Sequence, residues 1–248
     1  MLPDAAALAE AAAGQFVAAA GEAIGARGEF VVALSGGSTP RRTYERLATE
    51  PLVSRVMWSR VRVWWADERC VPPDQAESNY RMARETLLDH VPVAATSVHR
   101  IHGEDDPAAA AALYEATLRA LLKTPAGPPR TAPGARLDLV LLGLGDDGHT
   151  ASLFPGSAAL HEQTRWVMAA HAAVAPRWRV TLTPAVINAA AEVLFLVSGG
   201  AKAGVVRRVL DGPRTPQEIP AQAIAPSNGR VRWCVDAAAA AELGKGSP

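Results

Sequence analysis

LDLVLLGLG, residues 137–145, is the most apolar run of this 248-residue chain, and it predicts a strand buried on both faces. A polar loop, residues 146–157, follows it. Two similar runs, EFVVALS at 29–35 and VLFLVS at 193–198, each lead through Gly-Gly into a predicted helix. Strands that are apolar on both faces and alternate with helices indicate a mostly parallel sheet covered by helices. We therefore expect a doubly wound, Rossmann-like α/β fold.

The other periodic segments continue this alternation. Helices are predicted at 4–26, 38–47, 79–90 and 107–123. Two more are predicted, one that begins at Thr183-Pro184 and one that follows Gly199-Gly200 and runs to about residue 210. Ser38, Thr39 and Ser78 are the capping candidates. Further strands are predicted at 61–66, 98–102, 165–170, 178–183 and 231–235, and a polar loop at 67–77. The Pro/Gly-rich segment 124–135 predicts a surface loop, because the alternation continues beyond it. We expect one domain over residues 1–248.

Composition excludes several classes of protein. The 25 Lys and Arg side chains balance the 25 Asp and Glu side chains, so the net positive charge that dominates nucleic-acid binding is missing. No run of about 18 residues is apolar enough to span a bilayer, and the first 20 residues lack the basic start of a secretory signal. Cys70 and Cys234 form neither a disulfide framework nor a metal motif. We expect a cytoplasmic monomer or small homo-oligomer that binds neither nucleic acid nor membrane.

Polar residues concentrate in four loops, each directly after a predicted strand. In a parallel sheet these loops emerge at one edge, which is where such folds bind ligands. The sequence therefore predicts one composite site. Its segments are residues 35–39, 67–69, 145–150 and 198–202.

Two of these loops suit an anion. In Gly36-Gly37-Ser38-Thr39, glycine backbone, hydroxyls and the free amides of a helix N-terminus can surround a phosphate. Lys202 is one of three lysines against 22 arginines, and it opens a helix, where a cation is unfavourable unless an anion binds. The segments match neither nucleotide-binding glycine motif. The alternatives are a tight glycine turn and a solvated surface lysine.

His149 is the candidate general base. A histidine whose second ring nitrogen is held by a carboxylate can accept a proton near neutral pH. Asp147 is the favoured partner, although the sequence leaves the choice between Asp146 and Asp147 open. The alternatives are an incidental histidine in an Asp-Gly turn and a metal site, for which no clear set of further ligands is found. The pair His99 and His102 is interpreted as ordinary histidines, and no metal is expected.

Three residues are candidates for substrate contact. The Arg69 guanidinium suits bidentate contact with a phosphate or carboxylate, and Asp67 can accept the protons of sugar hydroxyls. An ion pair within the protein is the alternative for both. Arg179 lies in a predicted strand and is the third candidate at the same edge, although an ordinary structural role competes more strongly for it.

Five segments follow one another along the chain: ALSGGSTPRRTYERL, WADERCVPPDQAESNYRMARETLL, LLGLGDDGHTASLFPGS, RVTLTPAVINAAAEVLFLVSGGAKA and PAQAI. In this order they resemble the 6-phosphogluconolactonase family, which belongs to a larger group that includes glucosamine-6-phosphate isomerases. The resemblance covers residues 31–223 and implies hydrolysis of 6-phospho-D-glucono-1,5-lactone in the oxidative pentose phosphate pathway, without a cofactor. It implies that His149 activates water with support from Asp147, that Lys202 and residues 36–39 hold the phosphate, and that Arg69 orients the substrate.

Two other functions remain open. In the related isomerase, a Phe-Asn-Glu-Pro segment after the histidine contributes a glutamate to ring opening; here Phe154 stands in that place, which favours hydrolysis. A sugar-phosphate-binding protein without catalysis is the second alternative. Its DNA-binding regulator form is disfavoured, because the 28 residues before the first predicted strand contain no basic recognition helix.

Overall fold

The computed structural model describes residues 1–123 and 136–244, and a five-stranded parallel sheet lies at its centre. The described residues contain eight strands: β1 (Phe30–Leu34), β2 (Val61–Trp65), β3 (Asp67–Arg69), β4 (Leu139–Leu142), β5 (Val167–His171), β6 (Trp178–Leu182), β7 (Glu192–Val197) and β8 (Arg230–Val235). The parallel sheet has the order β2-β1-β4-β7-β8. Every residue of β1, β4 and β7 is buried. The predicted α/β fold with a mostly parallel, doubly covered sheet is therefore confirmed.

Seven helices accompany the strands in the described residues: α1 (Ala5–Arg27), α2 (Ser38–Leu47), α3 (Asn79–Thr86), α4 (Pro107–Leu121), α5 (Ala158–His161), α6 (Pro184–Ala189) and α7 (Ala203–Leu210). α1 packs against α2 and against β1, β7 and β8, while α4 packs against β5 and β6. The side chain of Ser78 caps α3, as predicted, by accepting a hydrogen bond from the Arg81 amide. Across residues 1–123 and 136–244, no helix has the length and hydropathy needed to cross a bilayer.

A second, antiparallel sheet of order β3-β6-β5 extends the fold at the carboxyl edge of the parallel sheet. Ala66 connects the two sheets: its amide donates to Leu34 of β1, and its carbonyl accepts from Leu182 of β6. Because β3 continues directly from β2, its residues lie where the parallel strands end. In the β3–β6 register, Asp67 faces Thr181 and Arg69 faces Arg179.

Several predicted boundaries are wrong. The strand expected at 98–102 is only an isolated bridge between Val63 and Val98, and the first three residues of the expected loop 67–77 form β3. α2 begins at Ser38 with Gly37 as its N-cap and without a side-chain cap, so Ser38 and Thr39 are not capping residues. The helix expected at 79–90 ends at Thr86 and is followed by a 3₁₀ turn at Leu88–His90. The surface loop predicted at 124–135 lies outside the described residues.

Candidate active site

A cavity of about 450 Å³ lies at the carboxyl edge of the parallel sheet. The loops after β1, β2, β4 and β7 converge on it, because parallel strands present the following loops at one edge. All ten candidate site residues line this cavity: Gly36, Gly37, Ser38, Thr39, Asp67, Arg69, Asp147, His149, Arg179 and Lys202. The four loops therefore converge on one cavity, as the sequence predicts.

Asp147, and not Asp146, contacts the imidazole of His149. One carboxylate oxygen of Asp147 lies 2.5 Å from Nδ1 of the ring and accepts the backbone N–H of His149 at 3.0 Å. Partial burial acts to raise the pKa of Asp147, but the hydrogen bond from the His149 amide and the charge and hydrogen bond of the ring outweigh burial and lower this pKa. An ionised Asp147 accepts the proton on Nδ1, which leaves Nε2 of His149 as the proton acceptor.

Gly145 allows the imidazole to occupy this position. The His149 ring lies directly over Gly145, where a Cβ atom would sit 2.8 Å from Cγ and still closer to Nδ1. The loop is closed by a hydrogen bond of 2.8 Å from the Gly145 amide to the His149 carbonyl. Sequence reasoning did not assign this function to Gly145, although a glycine four residues before a candidate base is a usable signal for close approach.

The glycine turn after β1 is fixed by a buried tyrosine. The hydroxyl of Tyr44 accepts the Ser35 N–H at 3.0 Å and donates to the Ser35 carbonyl at 2.9 Å. Beyond this point Gly37 is the N-cap of α2, with φ 109°, and no side chain of the described residues caps the helix, so the amides of Ser38 and Thr39 have no partner within the helix. This turn therefore offers backbone donors to an anion.

Arg69 and Arg179 form a cationic wall of the cavity. They face each other across β3 and β6, and their guanidinium groups donate to the carbonyls of Glu77 and Trp178, respectively. In the described part of the chain neither has a carboxylate within 4.0 Å. Burial, and then the positive charge of Arg69, lower the pKa of Arg179. Two like charges in register are unfavourable, which favours an anion between them.

Lys202 pairs with the other aspartate of the histidine loop. Its ammonium group donates to Asp146 at 2.6 Å and to the Leu144 carbonyl at 2.8 Å. Asp146 is largely exposed, so this ion pair is open to solvent and to competition by a ligand. The preceding glycine turn is held by Asp236, which accepts from the Gly199 amide and from the Ser198 hydroxyl.

Phe154 packs against the candidate base. Its ring centroid lies 4.8 Å from that of His149. The residue that comes later in the chain than His149 and packs on its imidazole is thus aromatic and not acidic. A second carboxylate for acid-base chemistry is not supplied from this position.

The other two histidines that the sequence singled out lie elsewhere. His99 stacks on Trp64 at 4.3 Å, and His102 approaches Asp105 at 3.5 Å. Both line a separate cavity of about 580 Å³ between α3 and α4. Within residues 1–123 and 136–244, no group of three or more His, Cys, Asp or Glu side chains is arranged to hold a metal ion.

Comparison with known proteins agrees on one family. Residues 3–233 match the profile of the glucosamine-6-phosphate isomerases/6-phosphogluconolactonase family. The chain is 39% identical to a 6-phosphogluconolactonase of Nostoc sp. over 98% of this chain and 97% of the relative, and 34% identical to that of Haemophilus influenzae over 84% and 85%.

Solved structures extend the likeness to three dimensions. The 6-phosphogluconolactonase from Trypanosoma cruzi superposes with a TM-score of 0.85 at 32% identity, covering 98% of this chain and 96% of the other. A monomeric glucosamine-6-phosphate deaminase at 22% identity, with a TM-score of 0.77 and coverage of 96% and 97%, shares the fold. The chain belongs to the glucosamine-6-phosphate isomerase/6-phosphogluconolactonase family.

Proposed function

We propose that this protein is a lactonase that hydrolyses 6-phospho-D-glucono-1,5-lactone to 6-phospho-D-gluconate. The observation that carries the proposal is the Asp147–His149 pair, which lines the same cavity as three cationic side chains, Arg69, Arg179 and Lys202. A proton acceptor and an anion-binding wall in one cavity suit a substrate with an ester carbonyl and a phosphate. Relatives named 6-phosphogluconolactonase support this assignment.

The chemistry requires one proton to be moved twice. Nε2 of His149 accepts a proton from water while the water oxygen attacks the lactone carbonyl, and the carbonyl oxygen becomes an oxyanion. Collapse of the tetrahedral intermediate breaks the bond to the ring oxygen, which takes the proton back from the imidazolium. Asp147 orients the ring and stabilises its charged form during this step. No cofactor is required by these steps.

The phosphate occupies the cationic part of the cavity. Lys202 and the amides and hydroxyls of residues 36–39 hold it in this proposal, with Arg69 and Arg179 orienting the substrate and Asp67 accepting a sugar hydroxyl. Among the described residues, Arg69 and Arg179 line the cavity without a paired carboxylate, whereas the third cation, Lys202, pairs with Asp146. The two unpaired guanidinium groups favour an anionic ligand.

Two alternatives make different predictions. An isomerase needs an acid-base carboxylate beside the histidine, and Phe154 occupies that side of the ring. A binding protein needs no general base, yet Asp147 holds Nδ1 of His149 in the arrangement that base catalysis uses. Both observations favour hydrolysis.

The test is hydrolysis of freshly generated lactone, followed by the proton that the product acid releases. Because the lactone also hydrolyses spontaneously, the rate must exceed this background in proportion to enzyme concentration, and glucosamine-6-phosphate serves as the control substrate. His149→Ala should remove the acceleration, while His161→Ala, which changes an exposed histidine, should not. Turnover of glucosamine-6-phosphate, or an absence of acceleration, would refute the proposal.

Lys202 is tested in the same assay. Lys202→Met should raise KM for the phosphorylated lactone, because a cationic contact with the phosphate is lost. Lys123→Met changes an exposed lysine that does not line the cavity and serves as the matched control. An unchanged KM for Lys202→Met would remove Lys202 from the phosphate site.

A further inference from the structure

The carboxylate of Asp67 is held at both of its oxygens. The hydroxyl of Ser152 donates to Oδ2 at 2.6 Å. The side-chain amide of Asn79 donates to the Asp67 carbonyl at 2.8 Å and reaches Oδ1 at 3.3 Å. The orientation of Asp67 is thus fixed by two neighbours and does not depend on a ligand.

These two neighbours come from different elements around the cavity. Ser152 follows His149 by three residues, and its own amide is anchored on the hydroxyl of Thr181 at 3.2 Å. Asn79 is the first residue of α3, and its amide lies against Gly36, where any Cβ atom would overlap it. The side chains of Ser152, Asp67 and Asn79 therefore connect the histidine loop, the end of β2 and the glycine turn.

Burial separates the role of Asp67 from that of its partners. All three side chains line the cavity, but Ser152 and Asn79 are each only 1% exposed, whereas Asp67 is 8% exposed. A carboxylate offers about four lone-pair positions, of which these partners use two. Asp67 keeps acceptor capacity for a ligand, while the two partners have almost no surface with which to contact one.

We propose that Ser152 and Asn79 are positioning residues, which hold the Asp67 carboxylate so that it accepts a hydroxyl of the sugar. The inference rests on the proposed function, because the hydroxyl belongs to the proposed lactone. A positioned carboxylate binds a substrate hydroxyl equally before and during the reaction. Loss of this contact is therefore expected to raise KM and to leave kcat unchanged.

Ser152→Ala is the decisive variant, since it removes one hydroxyl and little volume. Loss of a hydrogen bond to a charged group is expected to raise KM about tenfold to a hundredfold, with kcat within about threefold of the wild type. Ser157→Ala is the matched control: Ser157 lies in the same loop, and its hydroxyl has no hydrogen-bond partner in the described part of the chain. The control should leave both parameters unchanged.

A double-mutant cycle tests whether Ser152 acts through Asp67. Asp67→Ala should raise KM at least as much as Ser152→Ala, and the double variant should be no worse than Asp67→Ala alone. Independent contributions would instead multiply. A multiplicative effect, or an unchanged KM in Ser152→Ala, would overturn the inference.

Two measurements keep this inference separate from the proposed function. If the wild type fails to accelerate lactone hydrolysis, the proposed function fails, and calorimetry with 6-phosphogluconate still compares the affinities of the wild type and Ser152→Ala. A crystal structure of Ser152→Ala is expected to have the Asp67 side chain rotated from its wild-type position. An unchanged carboxylate in that structure would overturn the inference whatever the enzyme does.

Discussion

Gly145→Ala is expected to inactivate the enzyme by displacing the imidazole, without unfolding the protein. The new methyl carbon would lie 2.8 Å from Cγ of His149 and closer to Nδ1, whereas carbon contacts are comfortable at about 3.5–4.0 Å. The ring must therefore move by the order of 1 Å, which also breaks its contact with Asp147. A misplacement of about 1 Å in a reacting group can cost about a hundredfold in rate, and complete loss of a general base costs about 10²–10⁴-fold.

The assay is kcat for lactone hydrolysis by proton release, with spontaneous hydrolysis subtracted. We expect kcat to fall by about 10²–10⁴-fold. Gly145 lies outside the positive-φ positions, so alanine fits its backbone and the free energy of unfolding should change by less than about 1 kcal/mol. Urea denaturation checks this second expectation.

Gly143→Ala is the matched control, two residues earlier in the same loop. A Cβ atom at Gly143 would meet no protein atom within 4 Å. Because Gly143 also lines the cavity, a crowded substrate would appear in KM, whereas the position of the base is reported by kcat. If Gly145→Ala keeps wild-type kcat, or if Gly143→Ala loses as much, displacement of the imidazole is not the reason for the loss.

Three further changes test how the fold supports the site. Tyr44→Phe should lower the free energy of unfolding by about 2–4 kcal/mol, because the buried N–H and C=O of Ser35 both lose their partner; wild-type stability in urea would contradict this. Glu68→Gln should cost a similar amount: the carboxylate accepts four hydrogen bonds around the start of α3, and an amide group cannot accept them all. Thermal unfolding measures this loss of stability. An equally stable variant would show that burial of the charge, which raises the pKa of Glu68, outweighs those hydrogen bonds. Glu104→Gln should destabilise the protein by at most about 1 kcal/mol at pH 7. The hydrogen bond from Arg100 lowers the pKa of Glu104 from 4.5 to about 2, so this difference should shrink as pH falls from 4.5 toward 2; a difference that stays constant with pH would rule out the ion pair as its source.

The sequence was sufficient to predict which residues meet, because strand polarity alone brings the loops after parallel strands to one edge. It could not select between Asp146 and Asp147. Both are acidic and close to His149 in the chain, and only the turn of the loop directs one to the imidazole and the other to Lys202. That turn depends on the close approach of Gly145, which no periodic pattern records.

The antiparallel sheet was harder to predict than the parallel one. Asp67, Glu68 and Arg69 are all charged, so nothing in their composition indicates a strand, and β3 forms because β6 offers a partner distant in sequence. The opposite error occurs at 98–102, where an apolar start suggests a strand that pairs only through Val98. In both places the outcome depends on a long-range partner and not on local preference.

β3 also explains why the cationic wall exists. Its first residue, Asp67, is turned toward Ser152, and its third, Arg69, is brought opposite Arg179 by the antiparallel register. In the proposed function, the same short strand therefore supplies the acceptor for a sugar hydroxyl and one of the three cations that line the cavity. Without an anion the two guanidinium groups oppose each other, so the fold retains a local electrostatic cost that a phosphorylated ligand would relieve. The proposed phosphorylated substrate would thus account for an arrangement that stability alone does not favour.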